Sequence, residues 1–236
     1  MVCRQSPGRY AVPGYNAAMQ PNTVFFDIGE TLVDETHQWA AWAEWLGVPL
    51  LTFFGALGGV IARGEHHRRV FELVRPGIDV ERERAARAAA GQRDMFEARD
   101  FYPDALPCLQ ALRQRGYRIG LAGNQPEAAE AALRAMALPA DYIASSAGWG
   151  VEKPAPEFFA RVAALAGQPP ARIVYVGDRV DNDVVPAADA GMVAVFLRRG
   201  PWGVLHADLP AVARAHLRLD SLAMLPAALD ALQARK

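Results

Sequence analysis

The first sharply apolar stretch of the chain is TVFF, residues 23–26, and it gives way to DIGETL, where polar and turn-forming residues take over. A short apolar run bounded by a turn signal predicts a buried strand. From Glu35 to about Arg99 the pattern changes. Trp39, Trp42 and Trp45 recur at three-residue steps, and VERERAARAAAGQRDMFEARD is rich in alanine and arginine at helical spacing. This predicts a helical segment, broken by VRPGID around Pro76 and Gly77.

Beyond FYPDA the chain alternates. LPCLQALRQRG, PEAAEAALRAMAL, APEFFARVAALAG and NDVVPAADAG read as helices, whereas YRIGLAG, DYIASSA, RIVYVGD and MVAVFLRRG read as strands, the last of them the final one expected. The tail after His206, including LDSLAMLPAALDAL, reads as structural helix. Strands alternating with helices of this length form a parallel sheet covered on both faces. The predicted fold class is therefore α/β, a doubly wound parallel sheet with a helical insertion after its first strand. The predicted layout is a disordered tail over 1–21, an α/β core over 22–34 and 100–236, and a helical segment over 35–99.

Composition narrows the class. At 236 residues, 52% apolar and 22% charged, the chain can bury a sizeable core, and one domain with an insertion suits its length. The formal net charge is −1 and no basic stripe is present, so nucleic-acid and membrane-surface partners are not expected. No apolar run is long enough to span a bilayer. Cys3 and Cys108 do not suggest a disulfide scaffold, and a cytoplasmic location is the simpler expectation. The first twenty residues lack the apolar centre of a signal peptide and are rich in Pro, Gly and polar residues, hence the expected tail, with Met19 as an alternative start.

In doubly wound sheets, ligands bind at the carboxyl ends of the strands. Four places put polar residues there: Asp27 after TVFF, Gly123 and Asn124 after YRIGLA, Asp178 after IVYVG with Asp183 five residues on, and Lys153 in GVEKPAPEFF. Taken singly, each aspartate reads equally well as a turn former, a cap or a group favourable to a helix dipole. Lys153 is different. Of 25 basic residues only Lys153 and Lys236 are lysines, and a site that needs a compact point charge rather than a planar fork is a physical reason to keep one.

In order and spacing, these four regions resemble the haloacid dehalogenase superfamily, most of whose members are phosphatases. GDRVDNDVVPAADAGM is the most specific match and EKPAPEFF the next, and the resemblance runs from about Thr23 to Arg199. It implies that Asp27 is a nucleophile forming an aspartyl-phosphate. It further implies that Asp27, Asp178 and the Gly29 carbonyl hold Mg²⁺, with Asp183 as a ligand through water or an orienting group. Lys153 would neutralise nucleophile and phosphoryl group. Thr31 would support the loop, and the amides around Gly123 and Asn124 would receive phosphate oxygens. The segment 35–99 is similar to the family's helical cap, which closes over small substrates, so a small phosphorylated molecule is the implied partner, with a monomer or homodimer as the assembly.

Two positions depart from the family's phosphatase pattern. The second aspartate, acid and base for the leaving group and the attacking water, is replaced by Gly29, and the hydroxyl residue of the second motif by Gly123. Losing acid–base help costs about 10²- to 10⁴-fold in rate, most for alkoxide leaving groups. Glu30, adjacent to the gap, is one possible substitute. A non-catalytic binding protein and a metal-independent dehalogenase are the alternatives. Retention of Gly177–Asp178 favours a metal site over dehalogenation, and a cap without lysine excludes Schiff-base chemistry there. His66, His67, Arg68 and Arg69 are candidate substrate contacts, for which a solvated helix face is the simpler reading. Trp39, Trp42 and Trp45 read as packing residues. Trp149 and the RGPWG stretch at 199–203 receive no role.

Overall fold

The structure, a computed structural model, describes residues 20–92 and 95–234. TVFF forms β1 (Thr23–Phe26), with every residue buried. The next helices are α1 (Thr36–Trp45), α2 (Leu50–Ala62), α3 (Arg69–Val74) and α4 (Val80–Ala89). The core then resumes with α5 (Ala105–Gln114), β2 (Arg118–Gly123), α6 (Glu127–Ala135), β3 (Tyr142–Ser145), the single-turn α7 (Ser146–Trp149), and α8 (Pro156–Ala166). It closes with β4 (Ile173–Gly177), α9 (Val185–Asp189), β5 (Val193–Leu197), α10 (Gly200–His206), β6 (Leu217–Leu219) and α11 (Leu225–Gln233).

All strand pairs are parallel, in the order β3-β2-β1-β4-β5-β6. The alternation of side chains along a strand explains the two cores. Val24, Phe26, Val174, Val176, Val193 and Val195 face one apolar cluster that includes Leu109, Leu133 and Leu229 from α5, α6 and α11. Phe25, Tyr175, Ala194 and Phe196 face the other, against Phe158, Phe159 and Val162 of α8 and Ala187 of α9. Both faces are covered, so the strands are apolar throughout, as a doubly wound sheet requires.

The helical cap has a core of its own, built on Trp39, Trp42, Phe53, Leu57, Val60, Val70 and Phe71. Trp39 and Trp42 are buried there, while the Trp45 indole N–H donates to Glu83 Oε2 at 2.8 Å. Trp202 from α10 joins the same cluster, which assigns the RGPWG stretch a packing role between core and cap.

Several expectations need correction. The helical expectation up to Arg99 holds with more breaks than the one at Pro76–Gly77: among the described residues it forms four helices and then runs into a 3₁₀ turn at Ala98–Asp100, with Gly47, Gly64 and Gly77 at left-handed φ angles at the breaks. MVAVFLRRG is not the last strand: β6 pairs with β5 beyond it, too short for a periodic signal. The disordered tail expected over 1–21 lies mostly outside the described residues, but at its end Gln20 and Pro21 belong to the fold. Their carbonyls accept from Arg172 and Gln233, and Pro21 is buried. Among the described residues, no single helix is long and apolar enough to cross a membrane.

Candidate active site

β1 lies between β2 and β4, and the chain reverses its direction of travel across the sheet there, so the carboxyl ends of these strands border the crevice where such folds bind ligands. The register pairs Phe26 with both Leu121 and Val176, so Asp27 falls level with Ala122 and Gly177, one residue before Gly123 and Asp178. The Asp27 N–H continues the ladder to the Val176 carbonyl at 2.9 Å.

Lys153 is buried between two carboxylates, its Nζ 2.7 Å from Asp27 Oδ1 and 2.6 Å from Asp183 Oδ1. Burial alone would push the ammonium down, but the charges of Asp183 and Asp27 outweigh it and hold the group well above the usual lysine range. The rings of Phe158 and Tyr175 flank it, with centroids 5.9 and 5.5 Å away. The Tyr175 hydroxyl turns aside to donate to the Ala122 carbonyl at 2.8 Å. Asn124 fixes the lysine's main chain: its Oδ1 accepts the Lys153 N–H at 2.8 Å and its Nδ2 donates to the Lys153 carbonyl at 2.9 Å. The Asn124 side chain is thereby committed to Lys153, which leaves only its backbone amide for the expected phosphate contact.

Asp183 leaves a single π-turn, Val180–Val184, ahead of α9. Such wide turns re-aim side chains at functional sites. Here the carboxylate passes over Gly177, where a Cβ would collide with it, and its Oδ2 accepts the Arg179 N–H at 3.0 Å. Gly123 plays the same part for Asp27, whose Oδ1 occupies the volume that a Cβ at 123 would need. The absence of a hydroxyl residue at 123 therefore has a steric counterpart.

Asp27, Asp178 and Asp183 each offer an oxygen within 4.8 Å of the others, and Asp178 Oδ2 is buried with no protein partner. An orphaned anionic oxygen in a three-carboxylate cluster fits a hard divalent cation. Without one the charges repel. Burial, then Asp183, Asp27 and Glu30, drive Asp178 well above the usual carboxylate range. Burial also raises Asp183, to about 6, although Lys153 opposes the shift. A carboxyl raised in this way binds its proton more tightly folded than unfolded, so stability of the metal-free protein falls as pH rises from the ordinary aspartate range to about 6. We expect Mg²⁺ to raise the Tm more at about pH 7.5 than at about pH 5, measured by calorimetry; an equal shift at both would exclude this cluster as the cation site.

The loop after β1 is tight. Gly29 and Val33 form a bridge, and Glu30 sits at φ +53°, a left-handed conformation unfavourable to a side chain with a Cβ. Glu30 is held there by its partners: Oε1 accepts the Glu35 N–H at 3.0 Å and Oε2 accepts the Tyr102 hydroxyl at 2.7 Å. Both oxygens are engaged, so Glu30 braces the loop and is not free to replace the missing aspartate. Thr31 is buried and its carbonyl accepts from Arg199 at 3.0 Å, but no protein group pairs with its hydroxyl. Glu35 was not anticipated. Its carboxylate lies against Gly29, its Oε2 accepts the Trp39 indole N–H at 3.3 Å, and burial together with the Glu30 and Asp27 charges pushes it up to about 8.

On the cap side, the His67 ring meets Trp39 and Trp202 edge-on, each with centroids 5.8 Å away, and burial with the nearby His66 and Arg179 charges pushes it down to about 3. It is a neutral packing group. Arg69 pairs with Glu65 on the exposed surface at 3.8 Å, and His66 and Arg68 are exposed. Arg179 was also missed: it faces the Trp202 ring at 5.4 Å and pairs with Asp181 at 2.6 Å.

Comparison with known proteins bears on the family and the fold. Residues 21–191 match the haloacid dehalogenase-like hydrolase family model. The chain is 36% identical over 146 residues to a glyceraldehyde 3-phosphate phosphatase of Methanopyrus kandleri; the match covers 59% of this chain and 62% of that protein, less than two thirds of its length. Among solved structures, a subfamily IA hydrolase of the superfamily from Geobacter sulfurreducens superposes with a TM-score of 0.63 at 19% identity, over 93% of this chain and 100% of its own. A magnesium-bound hydrolase of the superfamily from Bacillus subtilis gives 0.62 at 20% identity, over 89% of this chain and 99% of its own. The chain belongs to the haloacid dehalogenase-like hydrolases.

Proposed function

We propose that this protein is a Mg²⁺-dependent phosphatase of small phosphorylated metabolites that works through an aspartyl-phosphate on Asp27. The observation that carries the reading is the Lys153 ammonium joining Asp27 and Asp183 at 2.7 and 2.6 Å, beside an Asp178 oxygen that no protein group satisfies. Dehalogenation in this family works without metal, so an unsatisfied Asp178 oxygen suited to a cation favours phosphoryl transfer, where charge on the transferring group must be neutralised.

In this reading Asp27, Asp178 and the Gly29 carbonyl hold the cation, with Asp183 as a further ligand or orienting group. When bound, Mg²⁺ would neutralise phosphoryl oxygens and the nucleophile's surroundings. Asp27 attacks phosphorus. Lys153 holds the Asp27 carboxylate in place and offsets its charge, Thr31 supports the substrate-binding loop, and the amides around Gly123 and Asn124 receive phosphate oxygens. The segment 35–99 acts as a cap over the 22–34 and 100–236 core, which favours a substrate small enough to be enclosed. The Methanopyrus relative's name supports a substrate in the triose-phosphate size range.

The test is phosphate release from a panel of phosphorylated metabolites that includes glyceraldehyde 3-phosphate, together with aryl and acyl phosphates, in Mg²⁺ and in excess chelator. Turnover is expected only with the metal. Halide release from a 2-haloacid in chelator would instead support dehalogenation, and cation binding without any turnover would leave a binding protein.

A further inference from the structure

We propose that Glu35, carried by the residue immediately before α1, replaces the side chain missing at position 29 and transfers the protons of the phosphoryl-transfer reaction. The inference rests on the reading of Asp27 as nucleophile.

The first ground is occupancy. A Cβ built on Gly29 would lie 2.9 Å from Glu35 Cδ and closer still to Oε1, so the Glu35 carboxyl fills the volume that an aspartate at 29 would use. Glycine at 29 is therefore a vacancy matched by another residue's acid. The second ground is that Glu35 has no capping task. It stands at the N-cap of α1, yet its side chain makes no cap bond; Asp34 Oδ1 accepts the Thr36 N–H at 2.8 Å instead. The third is orientation. Trp39, buried in the cap cluster, donates its indole N–H to Oε2, so the carboxyl is held by one oxygen while Oε1 faces Gly29. Glu30, the nearer residue in sequence, has both oxygens committed to the Glu35 N–H and the Tyr102 hydroxyl.

The proton balance is as follows. Asp27 forms a bond to phosphorus as the bond from phosphorus to the leaving oxygen breaks, and that oxygen takes the proton of the Glu35 carboxyl. Water then attacks the aspartyl-phosphate and gives a proton to the Glu35 carboxylate, releasing inorganic phosphate and restoring both groups.

The conservative variant E35Q separates this role from packing, since glutamine keeps the size and can still accept from Trp39. In full-length protein with Mg²⁺, E35Q should lose about 10²- to 10⁴-fold in turnover of an alkyl phosphate. It should lose markedly less in the phosphorylation step with 4-nitrophenyl phosphate, whose leaving group needs no proton. With that substrate, rapid quenching and intact mass measurement should show Asp27-phosphorylated enzyme accumulating. A second pair of variants guards against misfolding: G29D/E35A should recover at least about tenfold of the alkyl-phosphate turnover lost in E35A, as returning acid–base help predicts. An E35Q protein equal to wild type, or one with a uniform loss on both substrates and no accumulated phosphoenzyme, overturns the proposal, as does a G29D/E35A protein no better than E35A. Wild-type turnover by D27N would overturn the underlying phosphatase reading instead.

Discussion

With Asp27 as the proposed nucleophile, asparagine in its place should lower phosphate release by on the order of 10⁴- to 10⁶-fold, the scale on which removing one member of a catalytic unit costs turnover. The amide is nearly isosteric, so the fold should survive, and Lys153 keeps Asp183 at 2.6 Å as its partner. The substitution also removes one of the charges that raise Asp178 and Asp183. We therefore expect the metal-free D27N protein to be at least as heat-stable as wild type while its activity is gone, the opposite trends expected where a site is built for function at the expense of stability. A phosphate-release assay beside a thermal scan checks both halves. Wild-type activity in D27N removes the aspartyl-phosphate route altogether.

The second large effect is structural. Lys153→Met leaves Asp27 and Asp183 facing the same buried space without the cation that joins them. Removing one partner of a buried ion pair costs about 3–5 kcal/mol, because the remaining charge stays desolvated and unpaired. For a chain of this size that corresponds to a fall in Tm of roughly 10 °C. The penalty should shrink in acid, where Asp183, already raised by burial, takes up a proton and the stranded charge is reduced. Arginine should not rescue it. A planar guanidinium is a different shape from an ammonium placed between two carboxylates and flanked by the Phe158 and Tyr175 rings. Calorimetry of K153M and K153R against wild type, near neutrality and in acid, tests this. An unchanged Tm in K153M would mean that the ion pair contributes nothing.

Much of the fold was legible because it rests on local patterns. The apolar runs of TVFF, RIVYVG and MVAVFL became β1, β4 and β5, and the helix-period stretches became α5, α6 and α8. The polar residues at strand ends were legible for the same reason: in a parallel sheet every strand end falls on one side, so Asp27 and Asp178 belong to one edge, although only the pairing of β1 with β4 makes them neighbours. Lys153 stood out by composition. What failed was local as well as distant. The left-handed glycines that divide the cap helices are weak signals inside an apolar pattern, and the three residues of β6 carry no periodicity. Glu30 and Glu35 could not be ranked from sequence. Adjacency pointed to Glu30, whereas the turn at positive φ commits it to Tyr102, seventy-two residues away.

By itself, then, the amino-acid order determined the α/β alternation, the position of each acid and of the lysine along the chain, and the gap at Gly29, since these depend on residue type and short-range periodicity. Tertiary structure alone decided that Asn124 grips the Lys153 backbone, that Trp202 joins the cap core, and that the Glu35 carboxyl covers Gly29. Those contacts arise from how loops close and how cap and core pack together, which no local window of residues encodes.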